Sequence, residues 1–158
     1  ESTIIDCTGL KACLLRPGGI TREAVATALA KAGLNPAINT TRPLGDGKKP
    51  IAPGQLTSHY APRARLRLAA ERQKRGEEML GFGTINGAGK LQLNLSPSGN
   101  LIEAAANLFS MLHAADATST ATIAVAPIPD TGLGEAINDR LRRAAAPRPD
   151  PGATPPNL

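Results

Sequence analysis

The chain has 158 residues, of which 41% are hydrophobic and 20% are charged. This balance, without a long apolar run, excludes a membrane-spanning protein and a wholly disordered one, and the length suits one domain or a small domain with part of another. Eighteen Lys and Arg against 13 Asp and Glu leave a net charge of +5, which suits a polyanionic partner such as RNA or a triphosphate without choosing between them.

The first residues predict a β-hairpin followed by one helix. Residues 3–7 and 12–15 are short β-prone runs, separated by the turn-forming residues 8–11. Thr21 can cap a helix whose apolar positions 25, 28, 29 and 32 share a face, and Gly33 can end it. A hairpin and one helix bury too little apolar surface to fold alone. We therefore expect residues 1–34 to be the tail of a larger domain.

Residues 35–64 have the composition of a linker. Five prolines and three glycines fall between positions 35 and 62, and no hydrophobic period is present. A connection of this length is generally either disordered or a functional lid. His59 and Tyr60 lie near its end, and Tyr60 is one of only three aromatic residues, with Phe82 and Phe109.

Residues 65–146 predict a small, mostly parallel α/β domain with Rossmann-like winding, because strand and helix patterns alternate. The predicted strands cover residues 66–69, 79–82, 91–95 and 122–127. The first predicted helix has Asn100 as its cap, with Glu103 three residues later as in a capping box. Its apolar face would consist of Leu101, Ala105, Leu108, Phe109 and Leu112, and that of the second helix of Leu133, Ile137 and Leu141. Five prolines within residues 147–158 predict a disordered tail.

Several motifs have both a ligand-binding and a structural interpretation. The glycine pairs at 81 and 83 and at 87 and 89 do not continue to G-x-G-x-x-G, so turn glycines explain them better. Residues 96–100 could hold an anion at a helix start or could form a capped β–α turn. Six cations within residues 63–75 could grip RNA phosphates, but no aromatic residue lies among them, and a solvated basic face is the simpler interpretation.

Cysteine and histidine spacing predicts no structural metal. Cys7 and Cys13 lie close together, whereas His59 and His113 are far from them and from each other, unlike a zinc motif. No signal peptide is visible at the start of the sequence. These features lead us to expect reduced thiols and a cytoplasmic location.

The order of several motifs resembles the long form of the threonylcarbamoyl-AMP synthase family, in which a YrdC-type domain is joined through a linker to a smaller C-terminal domain. The matching stretches are residues 1–6 (Glu-Ser-Thr-Ile-Ile-Asp), 14–18 (Leu-Leu-Arg-Pro-Gly), 53–54 (Pro-Gly), 58–62 (Ser-His-Tyr-Ala-Pro), 81–83 (Gly-Phe-Gly), 94–99 (Asn-Leu-Ser-Pro-Ser-Gly) and 132–141 (Gly-Leu-Gly-Glu-Ala-Ile-Asn-Asp-Arg-Leu). The resemblance extends over nearly all of the sequence except the proline-rich tail.

The resemblance implies a nucleotidyltransferase of tRNA threonylcarbamoyladenosine modification. Its substrates would be ATP, accompanied by Mg²⁺, L-threonine and bicarbonate, and tRNA-modification proteins would be among its partners. Ser2 would contact threonine or its carbamate, and Arg16 would grip nucleotide phosphate. His59 and Tyr60 would belong to a linker that closes over ATP. The resemblance places no catalytic residue in these 158 residues.

The family's N-terminal motifs, including most of the threonine and triphosphate pocket, are not in this sequence. We therefore expect the chain alone to be inactive and to require a YrdC-type domain in cis. Two alternatives stay open at this point. Residues 65–146 could act as a non-catalytic regulatory module that binds tRNA or a protein partner. A stand-alone nucleotide-binding Rossmann-like protein is disfavoured by the missing glycine fingerprint.

Overall fold

Within the part of the chain that the structure describes, the strands form two separate three-stranded sheets. The computed structural model describes residues 1–40 and 62–146. In chain order the elements are β1 (Ile4–Asp6), β2 (Cys13–Arg16), α1 (Arg22–Lys31), β3 (Asn39–Thr40), β4 (Arg65–Arg67), β5 (Glu77–Leu80), α2 (Leu101–Ala117), β6 (Thr122–Val125) and α3 (Leu133–Ala145). The sheet orders are β1-β2-β3 and β4-β6-β5. The predicted tail, residues 147–158, and most of the predicted linker lie outside the described residues.

The N-terminal sheet confirms the predicted hairpin. β1 and β2 pair antiparallel, with Ile5 opposite Leu14 and Asp6 opposite Cys13. β3 adds a parallel third strand beside β2, in a stretch where the sequence predicts only linker. Two residues are too few to show a hydrophobic period, so this strand is defined by its pairing, which includes the hydrogen bond from Asn39 N to Ala12 O at 2.9 Å.

Both ends of α1 agree with the sequence signals. Thr21 caps the start, its Oγ1 accepting a hydrogen bond from Ala24 N. At the other end Gly33 adopts φ +70°, and Leu34 N donates to Leu29 O at 2.9 Å. This is the Schellman arrangement, which needs the left-handed conformation that glycine adopts at little cost.

The C-terminal sheet is entirely parallel, which confirms the predicted mixed α/β fold. β4 and β5 both pair with the central strand β6. Helix α2 packs against β5 and β6, α3 packs against β4, and the two helices contact each other. The centre of the core is aliphatic and contains the fully buried side chains of Leu80, Leu95, Ile123 and Val125.

The prediction of a strand over residues 91–95 is wrong. Gln92 adopts φ +48°, which interrupts an extended backbone. The amides of Lys90 and Leu91 donate to the Glu78 carboxylate at 2.9 and 3.4 Å rather than to a neighbouring strand. The segment forms a single bridge, between Gly81 and Asn94. The alternating leucines therefore reflect an irregular segment over the core.

Helix α2 begins as predicted, but a third residue lies between the Asn100 amide and the Glu103 carboxylate. Asn100 Oδ1 accepts from the amides of Ile102 and Glu103 at 2.8 and 3.1 Å. In a simple capping box the Glu103 carboxylate would accept from Asn100 N. Here Ser96 Oγ accepts from Asn100 N at 2.9 Å and itself donates to the Glu103 carboxylate.

The buried face of α2 differs in part from the prediction. Leu108 and Leu112 are buried as expected, but Phe109 is 43% exposed. Ala104 and Ala115 are fully buried instead, because small side chains allow the helix backbone to approach its neighbours closely. In α3 the predicted Ile137 and Leu141 are buried.

Across residues 1–40 and 62–146, no helix is both long enough and apolar enough to span a lipid bilayer.

Candidate functional site

Ser2 and Arg16, both predicted as site residues, are in direct contact. Arg16 ends β2, and Ser2 precedes β1 on the neighbouring strand of the hairpin. Arg16 Nε donates to Ser2 O at 3.0 Å, and Arg16 Nη2 donates to Ser2 Oγ at 2.9 Å. Only 9% of Arg16 is exposed. Its guanidinium is therefore held in one orientation rather than extending freely into solvent.

The segment after Arg16 is fixed against the first residues of the chain. Gly19 N donates to Glu1 O at 2.8 Å. Thr3 Oγ1 donates to Ile20 O at 2.6 Å and accepts from Ile20 N at 3.1 Å. At Gly18 an added Cβ would lie 2.5 Å from the backbone of Ser2 and Thr3, so only glycine permits this close approach.

A second guanidinium reaches this region from α3. Glu1 Oε2 lies 3.5 Å from Arg16 Nη1 and also pairs with Arg140 Nη2. The Arg140 side chain is 13% exposed. Burial lowers the pKa of Arg140, and the Glu1 carboxylate acts in the opposite direction. The sequence patterns did not single out Arg140. The feature that could have indicated it is a cation three positions after the core residue Ile137 on α3.

This arrangement has the chemistry of an anion site. A guanidinium presents planar N–H groups that match phosphate and carboxylate oxygens, and sheltering it from water strengthens charge-assisted hydrogen bonds. Ser2 adds a hydroxyl that can donate or accept. His59 and Tyr60, the other two predicted site residues, lie outside the described residues.

The glycine motifs have the structural role that the sequence favoured. A Cβ at Gly81 would lie 2.3 Å from Ile85 O, and one at Gly87 would lie 1.8 Å from Leu93 O. These glycines allow backbone segments to pack together. At the start of α2 the Asn100 side chain and the Ser96–Glu103 relay occupy the groups an anion would need, which supports a capped turn over a ligand site.

The basic cluster of residues 63–75 includes paired side chains. Arg67 contacts Glu77 through two hydrogen bonds, with Nε–Oε1 at 2.9 Å and Nη2–Oε2 at 2.5 Å. Arg63 Nε lies 3.6 Å from Asp116 Oδ2, although the Arg63 side chain is largely exposed. These contacts favour the interpretation of a solvated face with local ion pairs.

Fold and site together define a class: a small parallel α/β domain preceded by a β-hairpin that carries an ordered, sheltered arginine. The comparison with protein families is more specific. The model of the threonylcarbamoyl-AMP synthase C-terminal domain family matches residues 20–146, and the chain belongs to this family.

Curated relatives and solved structures agree. The chain is 34% identical to threonylcarbamoyl-AMP synthase of Bacillus subtilis over 94% of its length, and 29% identical to that of Pyrococcus abyssi over 92%. It spans 46% and 45% of these relatives. The crystal structure of P. abyssi Sua5 complexed with L-threonine superposes with a TM-score of 0.68 at 28% identity, covering 92% of this chain and 45% of that one. A His-to-Ala and Tyr-to-Ala double variant of P. abyssi Sua5 gives 0.62 at 27% identity, covering 92% and 44%.

Proposed function

We propose that these residues act as the C-terminal part of a threonylcarbamoyl-AMP synthase that serves tRNA threonylcarbamoyladenosine modification in the cytoplasm. The reaction would convert ATP, L-threonine and bicarbonate into threonylcarbamoyl-adenylate, pyrophosphate and water. The observation that supports the proposal is the contact between Ser2 and Arg16, which orders a guanidinium suited to anions in a chain that resembles these synthases along more than nine-tenths of its length.

The proposed chemistry requires two anions to be held together. Bicarbonate and the threonine amine condense to a carbamate and release water. A carbamate oxygen then attacks the α-phosphorus of ATP while the bond to pyrophosphate breaks. Arg16 would contact nucleotide phosphate and offset the charge that develops on the leaving group. Ser2 would contact threonine or its carbamate, and its hydrogen bonds to Arg16 would set the distance between the two substrates.

The proposed organisation assigns each segment a role. Residues 1–34 would complete a YrdC-type catalytic domain, and residues 35–64 would form an active-site lid containing His59 and Tyr60. Residues 65–146 would be the C-terminal domain, followed by the proline-rich residues 147–158. Closing the lid would exclude water from an adenylate that water can hydrolyse. Mg²⁺ would enter as the counterion of ATP.

Pyrophosphate release tests this function. The 158-residue chain alone should show no threonine- and bicarbonate-dependent pyrophosphate release from ATP. The same residues joined to their YrdC-type domain in the full-length protein should show it. Omitting threonine or bicarbonate from the full-length assay provides the control, and turnover by the isolated chain would contradict the proposed division of the site.

The alternative is a non-catalytic module that binds tRNA or a protein partner. It predicts that a full-length protein lacking residues 65–146 retains threonine-dependent turnover. The synthase proposal predicts a loss, because α3 contributes Arg140 to the surroundings of Arg16.

A further inference from the structure

We propose that Arg140 is a positioning residue for the nucleotide site: it neutralises the Glu1 carboxylate and so preserves the positive charge that Arg16 presents to ATP phosphate. The C-terminal domain would thereby act on the site through one ion pair. This inference rests on the proposed function, in which Arg16 binds the nucleotide.

The geometry makes Glu1 the principal acidic partner of Arg140. On α3, Arg143 holds the neighbouring Asp139 with two hydrogen bonds, Nε–Oδ2 at 2.8 Å and Nη2–Oδ1 at 2.9 Å. Arg140 Nη1 lies 3.8 Å from the same Asp139, whereas its Nη2 hydrogen bonds directly to Glu1 Oε2. Arg140 is therefore directed across the boundary between α3 and the N-terminal segment.

Glu1 is held where its charge affects Arg16. Its backbone oxygen accepts from Gly19 N, and Gly18 leaves no room for a side chain between the two segments. The Glu1 carboxylate consequently lies between two guanidinium groups, hydrogen-bonded to Arg140 and 3.5 Å from Arg16 Nη1.

The consequence for an anionic ligand follows from charge. Without Arg140, the Glu1 carboxylate would turn its full negative charge towards Arg16 and compete with phosphate for it, and it would repel a triphosphate. With Arg140 in place, the carboxylate is paired and the site keeps a positive charge at Arg16. Low exposure of both guanidinium groups limits screening by water and salt.

A second ion pair across the same boundary provides a matched control. Arg22, on α1, pairs with Glu135 on α3 and donates to Ile38 O. If Arg140 only fixed α3 to the N-terminal segment, removal of Arg22 would have the same effect on ATP as removal of Arg140.

The experiment measures ATP affinity and turnover in the full-length protein. In Arg140→Gln, the Kd of a non-hydrolysable ATP analogue and the KM for ATP should rise about tenfold, with the KM for threonine and the Tm little changed. Glu1→Gln should bind the analogue about two- to threefold more tightly, since it removes a repulsive charge. The double variant Arg140→Gln/Glu1→Gln should regain ATP affinity to within about threefold of the parent. Arg140→Lys should also retain most of the affinity, and Arg22→Gln should bind ATP as the parent does.

Three results would overturn the inference: unchanged ATP affinity in Arg140→Gln, no recovery in the double variant, or equal weakening in Arg22→Gln. If Arg140→Gln does not fold, the ATP affinities of Arg140→Lys and of the double variant provide the test. Calorimetric binding separates this inference from the proposed function. A parent that binds the analogue but shows no threonine-dependent turnover contradicts the function while the variants still test Arg140, and a parent that binds no analogue contradicts both.

Discussion

Arg22 and Glu135, 113 positions apart in the chain, form a two-point ion pair that joins the first turn of α1 to the first turn of α3. The distances are 2.5 Å from Nη2 to Oε1 and 3.2 Å from Nε to Oε2. Both side chains are at least three-quarters buried, and the hydrogen bond to Glu135 raises the pKa of Arg22. Together with Glu1 and Arg140, the pair connects the N-terminal segment to the C-terminal domain.

Breaking this pair should loosen the N-terminal segment selectively. In the 158-residue chain, limited proteolysis should cut residues 1–34, the linker and the tail before residues 65–146. Glu135→Gln should speed cleavage within residues 1–34 and lower the free energy of unfolding by about 1 kcal/mol, since a partly sheltered two-point pair contributes little more than an exposed one. Glu71→Gln, at an exposed carboxylate, is the control. Unaltered cleavage in Glu135→Gln would contradict this docking role.

Gly87 and Gly83 should respond very differently to alanine. A Cβ at Gly87 would overlap the backbone of Leu93, so Gly87→Ala should cost at least about 3 kcal/mol of unfolding free energy. Gly83 has φ +58° with open space around it, so Gly83→Ala should cost only about 1 kcal/mol, from the left-handed backbone alone. Urea denaturation measures both, and similar costs would contradict the close-packing explanation.

Ser96 should matter more for stability than its neighbour Ser98. Ser96 is fully buried and links Asn100 N to the Glu103 carboxylate. Ser96→Ala removes this link and should lower the unfolding free energy by about 2 kcal/mol. Ser98 is exposed and its hydroxyl lies 3.4 Å from Glu103, so Ser98→Ala should cost less than about 0.5 kcal/mol. Equal effects in chemical denaturation would show that the relay does not stabilise α2.

The ionisation of Glu77 should make the free energy of unfolding depend on pH. The hydrogen bonds from Arg67 hold the pKa of Glu77 below its ordinary value of 4.5, although burial acts in the opposite direction. A lowered pKa in the folded state contributes stability above pH 4.5, and this contribution is lost as the pH falls through the folded-state pKa.

The variant Glu77→Gln tests this dependence because glutamine does not titrate. Its deficit in unfolding free energy should be about 1.5 kcal/mol at pH 7 and should shrink as the pH falls below 4.5. Denaturant titrations across pH 3–7 provide the measurement. A deficit that stays constant with pH would exclude the ionised pair as its source.

Tyr60 tests the proposed lid. In the full-length protein, Tyr60→Ala should lower kcat/KM for ATP by about tenfold to a hundredfold, equivalent to the loss of a contact worth about 1–3 kcal/mol in the closed state. If Tyr60 only packs the linker against the C-terminal domain, the substitution lowers the Tm and leaves ATP kinetics unchanged. A destabilised variant with the ATP kinetics of the parent would therefore contradict the lid hypothesis.

Features that depend on neighbouring residues could be predicted from the sequence. Thr21, Asn100 and Gly33 marked helix ends correctly, because caps and left-handed glycines act over three to five residues. The parallel α/β class followed from the order of elements, and the motifs around Ser2 and Arg16 indicated the family. That these two residues contact each other across the hairpin was not predicted, although a short turn brings the ends of paired strands together.

Features that depend on distant contacts could not be predicted in this way, because they arise only when the chain packs. The alternating leucines at 91–95 predicted a strand, but the Glu78 carboxylate accepts hydrogen bonds from the amides of Lys90 and Leu91, and Gln92 has a positive φ that interrupts an extended backbone. Phe109 matched a helical period yet lies at the surface, because the position of the sheet selects which stripe of α2 is buried. The pairs of Arg22 with Glu135 and of Arg140 with Glu1 join residues more than a hundred positions apart. A local pattern fixes backbone conformation, but only packing brings such charges together, at the place where the C-terminal domain meets the proposed anion site.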